Sequence, residues 1–410
     1  MTRVAIATIG TRGDVAPLTG VGVALREAGH EVILAAPSAH AEEITGAGLE
    51  FRAIGGDVRE SDLKGANLLR LLTAAIAPSV IRWMANAVVD ALKDDPADVL
   101  LLTPFAEFGG LPLAEARGIP SIGLRFQPLS TTAAHPPSVL GSWSAGRAGN
   151  RMAGAAGGAL VDRLYGGVIA DVRKQLGLPS VPARALRRQR TEAGWPIMNG
   201  YSPTVVPRPS DWRGGLDVVG YWWPHVDPAW QPPSELVDFL AAGPPPVFLG
   251  FGSFMTSEKT AARLSEHALT ALRAAGVRGV VQAGWANLQA SGDDVLTIGE
   301  APHEWLFPRM AAVVHACGAG TTAAGLRAGV PAIGVPVAGD QAFWARRLRE
   351  LGVSTATVSY WRVNAERLTA AIRDTVSNPA LKTNAEELAA RMAKEDGAAA
   401  VVDAVENLLS

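Results

Sequence analysis

The chain has one cysteine, Cys317, in 410 residues. It has no intrachain disulfide framework, and a solitary thiol fits a reducing, cytoplasmic setting. It has no excess of either charge. Lys and Arg total 37 against 39 Asp and Glu, a formal net charge of -2. There is thus no broad basic field for nucleic acid or an anionic membrane. No Asp-x-Asp occurs, so the usual carboxylate pair for a diphosphate-bound divalent metal is missing. The His and Cys positions carry no zinc spacing, and no metal is expected. No Gly-x-Gly-x-x-Gly follows the first apolar run, and the second ends Ala35-Ala36-Pro37 without a ribose-binding acid. Both absences argue against a dinucleotide dehydrogenase. No signal-like stretch follows Met1. The most apolar later stretch, 68–92, is broken by Arg70, Pro78 and Arg82. It reads as helices near a cleft, and stable membrane insertion is not expected.

Hydrophobic residues make up 48% and charged residues 19%, enough to give two domains of roughly 200 residues a core each. Residues 4–9 form an apolar run, interrupted only by Thr8 and closed by Gly10, as suits a parallel strand covered on both faces. After a Gly-Thr-Arg-Gly-Asp loop, Pro17 sits where a first helical turn tolerates it. The helix then runs to about Ala28, and Gly29 ends it before a strand at 32–36. Further strands at 99–102 and 119–124 alternate with alanine-rich helical stretches, the pattern of a doubly wound α/β domain. Residues 201–246 are rich in Pro, Trp and Gly. A second α/β series has strands at 247–251, 277–282, 295–298, 312–315 and 332–335, followed by a helical stretch at 384–409. The expected organisation is an N-terminal domain at 1–210, a linker at 211–246, a second domain at 247–390 and a C-terminal helix at 391–410. Two Rossmann-like domains would face each other across a central cleft, the default place for a site.

Four local features carry chemistry. His315-Ala316-Cys317-Gly318-Ala319-Gly320-Thr321-Thr322 follows a buried strand and opens a helix. Small residues there let a ligand approach the backbone, and free N–H groups with the helix dipole make an anion site fit for a diphosphate. A tight strand-to-helix turn that needs glycine for packing explains the same residues. Gly250-Phe251-Gly252-Ser253 ends another strand and would turn Ser253 toward the same phosphates; alone it is a weak signal. Asp340 beside Gln341 offers acceptors and donors for sugar hydroxyls, although the residues by themselves favour a plain helix N-cap. Asp14 fits a general base for a hydroxyl, and on sequence alone it fits helix capping better. A helix start favours the carboxylate, which would keep Asp14 a weak base.

Read in order, these blocks resemble the GT-B glycosyltransferases of the sterol 3-β-glucosyltransferase and bacterial natural-product glycosyltransferase family. The resemblance spans nearly the whole chain. It rests on Gly10-Thr11-Arg12-Gly13-Asp14 with Pro17, on Gly220-Tyr221-Trp222 to Ser253, and on Pro302-His303 with Trp305-Leu306-Phe307-Pro308. Ala319-Gly320-Thr321-Thr322, Gly329 with Pro331, and Asp340-Gln341 with Ala345 complete it. It implies an inverting, metal-independent hexosyl transfer from a nucleoside diphosphate sugar, with uridine and thymidine both open. The nucleotide sugar would be a substrate, and no cofactor is expected. It implies Asp14 as base. Ser253 and the amides of Gly318, Ala319, Gly320 and Thr321 would hold the donor diphosphate, Arg12, Gly13 and Ala316 would lie at the donor site, Trp285, Pro302 and His303 would lie near the base, and Asp340 and Gln341 would bind the sugar. The C-terminal helix would cross back onto the N-terminal domain. One position departs from the pattern. The family usually has a second histidine where Ala316 stands, contacting the pyrophosphate, and a lost hydrogen bond to a charged group costs roughly 1.5–3 kcal/mol. His315, its strand neighbour, is expected to face the core, and Cys317 reads as a small spacer.

Trp83, Phe105, Phe126 and Trp143, with the stretch 128–144, offer apolar walls for a polyketide- or sterol-like acceptor; each also fits a core position. His135 is a second candidate base, though a lone loop histidine is commonly just solvated. Two rivals remain: a weakened relative acting as a donor-binding or helper protein, motivated by Ala316, and a sugar-nucleotide epimerase on the same plan. A monomer and a homodimer are both compatible with the sequence.

Overall fold

The computed structural model describes residues 2–55, 76–252, 256–284, 287–290 and 292–409. Among these, one sheet contains β1 (Arg3–Ala7), β2 (Glu31–Ala36), β3 (Glu50–Ala53), β4 (Val99–Leu102), β5 (Ser121–Arg125), β6 (Ile197–Asn199) and β7 (Leu216–Val218). Its order is β3-β2-β1-β4-β5-β6-β7 and every pairing is parallel. The second sheet contains β8 (Val247–Gly250), β9 (Gly279–Gln282), β10 (Val295–Ile298), β11 (Ala312–His315) and β12 (Ala332–Gly334), in the parallel order β10-β9-β8-β11-β12. The apolar runs become strands because helices cover both faces: Val4 to Ala7 and Val99 to Leu102 are fully buried. The chain is therefore a pair of Rossmann-like α/β domains, as the apolar runs indicated.

Two boundaries differ from expectation. The first helix spans Arg12–Glu27, not 17–28. Thr11 and Asp14 cap it early, and the helix absorbs Pro17 with the loss of one backbone hydrogen bond. The 211–246 stretch holds β7, the seventh strand of the first sheet, so the connection proper starts after Val218. A three-residue strand with Asp217 pointing outward leaves no periodic signal. The aromatic part of this connection is core rather than spacer. Trp222 is buried against Phe126, edge to face at 5.6 Å, and its Nε1 donates to the Gly397 carbonyl at 3.0 Å.

That hydrogen bond marks the return of the C-terminus. The Gly397–Leu409 helix lies against the Arg12–Glu27 helix, and Val401 and Val405 join Leu18, Val21 and Leu25 in one apolar cluster. Just before it, Glu395 accepts from Ser202 Oγ (2.7 Å) and Thr204 Oγ1 (2.9 Å). The loops after β1, β10, β11 and β12 carry the singled-out residues 10–14, 300–303, 318–321 and 340–341 at the carboxyl ends of their strands, where α/β sheets bind ligands.

Candidate active site

Asp14 stands in the first turn of the Arg12–Glu27 helix. Its Oδ2 accepts from the Thr11 amide at 2.8 Å and the Thr11 hydroxyl at 3.3 Å. Gly10 lies beneath it so closely that a Cβ there would stand 2.1 Å from Oδ2. Burial pushes the carboxyl up to about 6, against the Thr11 hydrogen bonds, and the nearby charge of Asp340 adds to the rise. The weak base expected from the helix start is thus corrected, because desolvation outweighs capping. Asp14 still keeps some exposed surface.

The Ala319–Arg327 helix of the second domain approaches the Arg12–Glu27 helix. Gly318 is its N-cap, and the first backbone bond runs from Thr322 N to Gly318 O at 2.9 Å. The amides of Ala319, Gly320 and Thr321 precede that bond and have no partner within the helix. A Cβ built on Gly318 or Gly320 meets no atom within 4 Å, and Gly320 is exposed. The Ala319 side chain packs against apolar clusters of both domains, so this tip faces the half that carries Asp14. An open N-terminus of this kind binds an anion.

Asp340 caps the Gln341–Glu350 helix by position but not through its side chain. Its Oδ2 accepts from Trp344 Nε1 at 2.6 Å, and burial raises its pKa. Gln341 Oε1 accepts from the amides of Val337 (2.7 Å) and Ala338 (3.1 Å). Its NH2 is left to donate. The pair therefore offers one fixed carboxylate and one carboxamide donor beside the helix tip.

Pro302 and His303 begin a short helix, His303–Leu306, after β10. His303 stacks on Phe307 (4.2 Å between centroids), and burial lowers its pKa to about 4, so it is neutral. His315 is buried, as expected. Its Nδ1 accepts from the Cys317 amide at 3.1 Å, and burial lowers its pKa to about 3. Ala316 lies in the apolar cluster of Phe251 and Val335 and presents no polar group to the tip. Cys317 is more than a spacer. It adopts a left-handed φ of 63°, its thiol sealed in the core with its pKa raised by burial. Gly13 is exposed at the start of its helix, while the Arg12 guanidinium is occupied by Glu43 (3.2 Å) and Glu300 (3.0 Å). Ser253 and Trp285 lie outside the described residues.

The acceptor candidates separate. Trp143 is exposed in a loop tied to the second domain by Arg346 Nη1, which donates to Ser142 O at 2.9 Å. Phe105 is half-buried after β4. Phe126 is a core residue under Trp222, not an open wall. Trp83 lies at the β3 edge, lining a hollow of about 430 Å³ with Arg52 and Asn86. His135 is not solvated. It is buried edge-on to Phe343 at 5.3 Å, and burial lowers its pKa.

Thr11, Trp344 and Glu300 were not read from sequence. The three-residue spacing of Thr11 and Asp14 is a capping-box signal, and Trp344 lies one helical turn from Asp340. Glu300 carries no local signal. Among the described residues no group of three or more His, Cys, Asp or Glu is placed to hold a metal ion, and no helix is long and apolar enough to cross a membrane.

Two parallel α/β domains, with the Ala319–Arg327 helix tip in one and Asp14 in the other, have the GT-B arrangement. The solved glycosyltransferase of kitacinnamycin superposes with a TM-score of 0.71 over 99% of both chains at 20% identity, a likeness of fold. Residues 4–135 match the glycosyltransferase family 28 N-terminal domain, and residues 280–408 match the erythromycin biosynthesis protein CIII-like C-terminal domain. The O-mycaminosyltylonolide 6-deoxyallosyltransferase of Streptomyces fradiae is 36% identical over 96% of this chain and 94% of its own length. The sterol 3-beta-glucosyltransferase UGT80A2 of Arabidopsis thaliana is 34% identical over 98% of this chain, which spans 65% of that protein. The chain belongs to this sterol and natural-product glycosyltransferase family.

Proposed function

We propose that the chain transfers a hexosyl group, with inversion and without a metal, from a uridine or thymidine diphosphate sugar to a hydroxyl of an apolar, natural-product-like acceptor. Asp14 removes the acceptor proton while that oxygen forms the new bond to the anomeric carbon. The bond from that carbon to the diphosphate oxygen breaks on the opposite face, so an α-linked donor yields a β-glycoside. The amides of Ala319, Gly320 and Thr321 take up the charge of the leaving diphosphate in place of a cation. Asp340 and the Gln341 NH2 hold donor-sugar hydroxyls.

The observation that carries this reading is Asp14, its pKa raised to about 6 by burial, opposite open backbone amides. A base poised near neutrality combines the ionised form with useful proton affinity. The acceptor class is drawn from the Streptomyces fradiae and Arabidopsis thaliana relatives, whose names specify O-mycaminosyltylonolide and a sterol. Melting curves with UDP and dTDP test the donor half: binding at about a hundred times Kd stabilises by about 2.7 kcal/mol. Incubation with nucleotide sugars and candidate aglycones tests transfer. Loss of donor to an altered sugar nucleotide without acceptor would instead favour epimerisation, and binding without turnover would favour a helper protein.

A further inference from the structure

Arg12 was expected among the donor ligands, but the structure gives it a different neighbourhood. Its Nε reaches Glu43 Oε1 at 3.2 Å in its own domain, and its Nη1 reaches Glu300 Oε2 at 3.0 Å in the other. Among the described residues this is the one ion pair between the two sheet-bearing domains. It lies at a consequential place. Arg12 is the first residue of the helix that holds Asp14 in its opening turn, and Glu300 immediately precedes the Ala301-Pro302-His303 turn. Buried His40 backs the cluster, with Nδ1 3.8 Å from Glu43 Oε2 and its pKa lowered by burial. One guanidinium thus serves two carboxylates. A phosphate would have to compete with both for it.

We propose that Arg12 is a positioning residue: by bridging Glu43 and Glu300 across the cleft, it sets the spacing between the Asp14 turn and the 301–303 turn, and it does not bind the donor. This rests on the glycosyl-transfer reading for its consequence, but not for its geometry. Without Arg12, Glu43 and Glu300 face each other unneutralised and the lip opens. Without the Glu300 charge, only the bridge is lost.

The test compares Glu300→Gln, Arg12→Gln and the double variant with the parent protein. In ligand-free protein, amide exchange over residues 301–307 should quicken about two- to fivefold in Glu300→Gln, the worth of an exposed pair. In the same variant kcat should fall about two- to fivefold, while the Kd for UDP or dTDP stays within about twofold. Arg12→Gln should lower kcat further, and the double variant should be no worse than Arg12→Gln alone, since one bridge is broken in each. High salt should slow the parent and leave Glu300→Gln unaffected. Unchanged exchange in Glu300→Gln overturns the proposal. So does a nucleotide Kd that weakens about tenfold in Arg12→Gln alone, which would make Arg12 a donor ligand. Absence of nucleotide binding in the parent would sink the transfer reading instead, and the exchange comparison still decides the bridge.

Discussion

Asp14 joins two opposing demands, and both are measurable. As the proposed base it must be ionised, so kcat/KM should fall as pH drops through about 6 and level off above it. Asp14→Asn should lower kcat about 10²–10⁴-fold. For stability the sign is reversed. The native carboxyl holds its proton more tightly than the unfolded one, so stability is lost as pH rises from about 4 to about 6. Asp14→Asn should then be more stable than the parent by about 1–3 kcal/mol at pH 7, an advantage that vanishes below about pH 4. Equal stability at pH 7 would mean that burial does not tune this group. Ala316 allows a second test. Ala316→His should tighten nucleoside diphosphate binding by about ten- to a hundredfold and, because the methyl lies in a packed cluster, should lower stability by about 1–3 kcal/mol. At this scale the sequence showed these carboxylates but not their tuning. Asp14 and Asp340 were visible as acids after strands; that burial raises both depends on residues brought together only by folding.

At the scale of elements, the Ala319–Arg327 helix is the decisive part. Its small residues fit a packing turn and an anion seat equally well in sequence, and the open space before Gly318 and Gly320 favours the seat. Gly320→Ala separates the two explanations. A methyl there meets nothing and should raise stability by about 0.5–1 kcal/mol, yet it stands where the phosphate would lie, so nucleotide affinity should fall about tenfold. A drop in melting temperature with affinity intact would return the glycines to a packing role. Strands legible in sequence were those buried on both faces, such as β1 and β4. The three-residue β6 and β7, with Asn199 and Asp217 in them, fell below any periodic signal. The helix start at Arg12 was obscured by Pro17, whose weight as a helix opener is overruled by the Thr11 and Asp14 contacts.

The molecule as a whole closes on itself through its last helix. Val401 and Val405 have no exposed surface and cover the Arg12–Glu27 helix. Val401→Ala should cost about 2 kcal/mol, from two buried carbons and the cavity left behind, read as a lower melting temperature. Because that helix supports the turn bearing Asp14, kcat should fall in the same variant. The alternation of strands and helices announced two domains, but neither the Glu395 contacts nor the Arg12–Glu300 bridge could be read ahead, since residues far apart in sequence form them. A crystal structure with UDP or dTDP bound decides where the diphosphate sits. The β-phosphate should lie within hydrogen-bonding distance of the amides of Ala319, Gly320 and Thr321, on the side facing Asp14. A diphosphate seated elsewhere, with those amides still open to solvent, would contradict it.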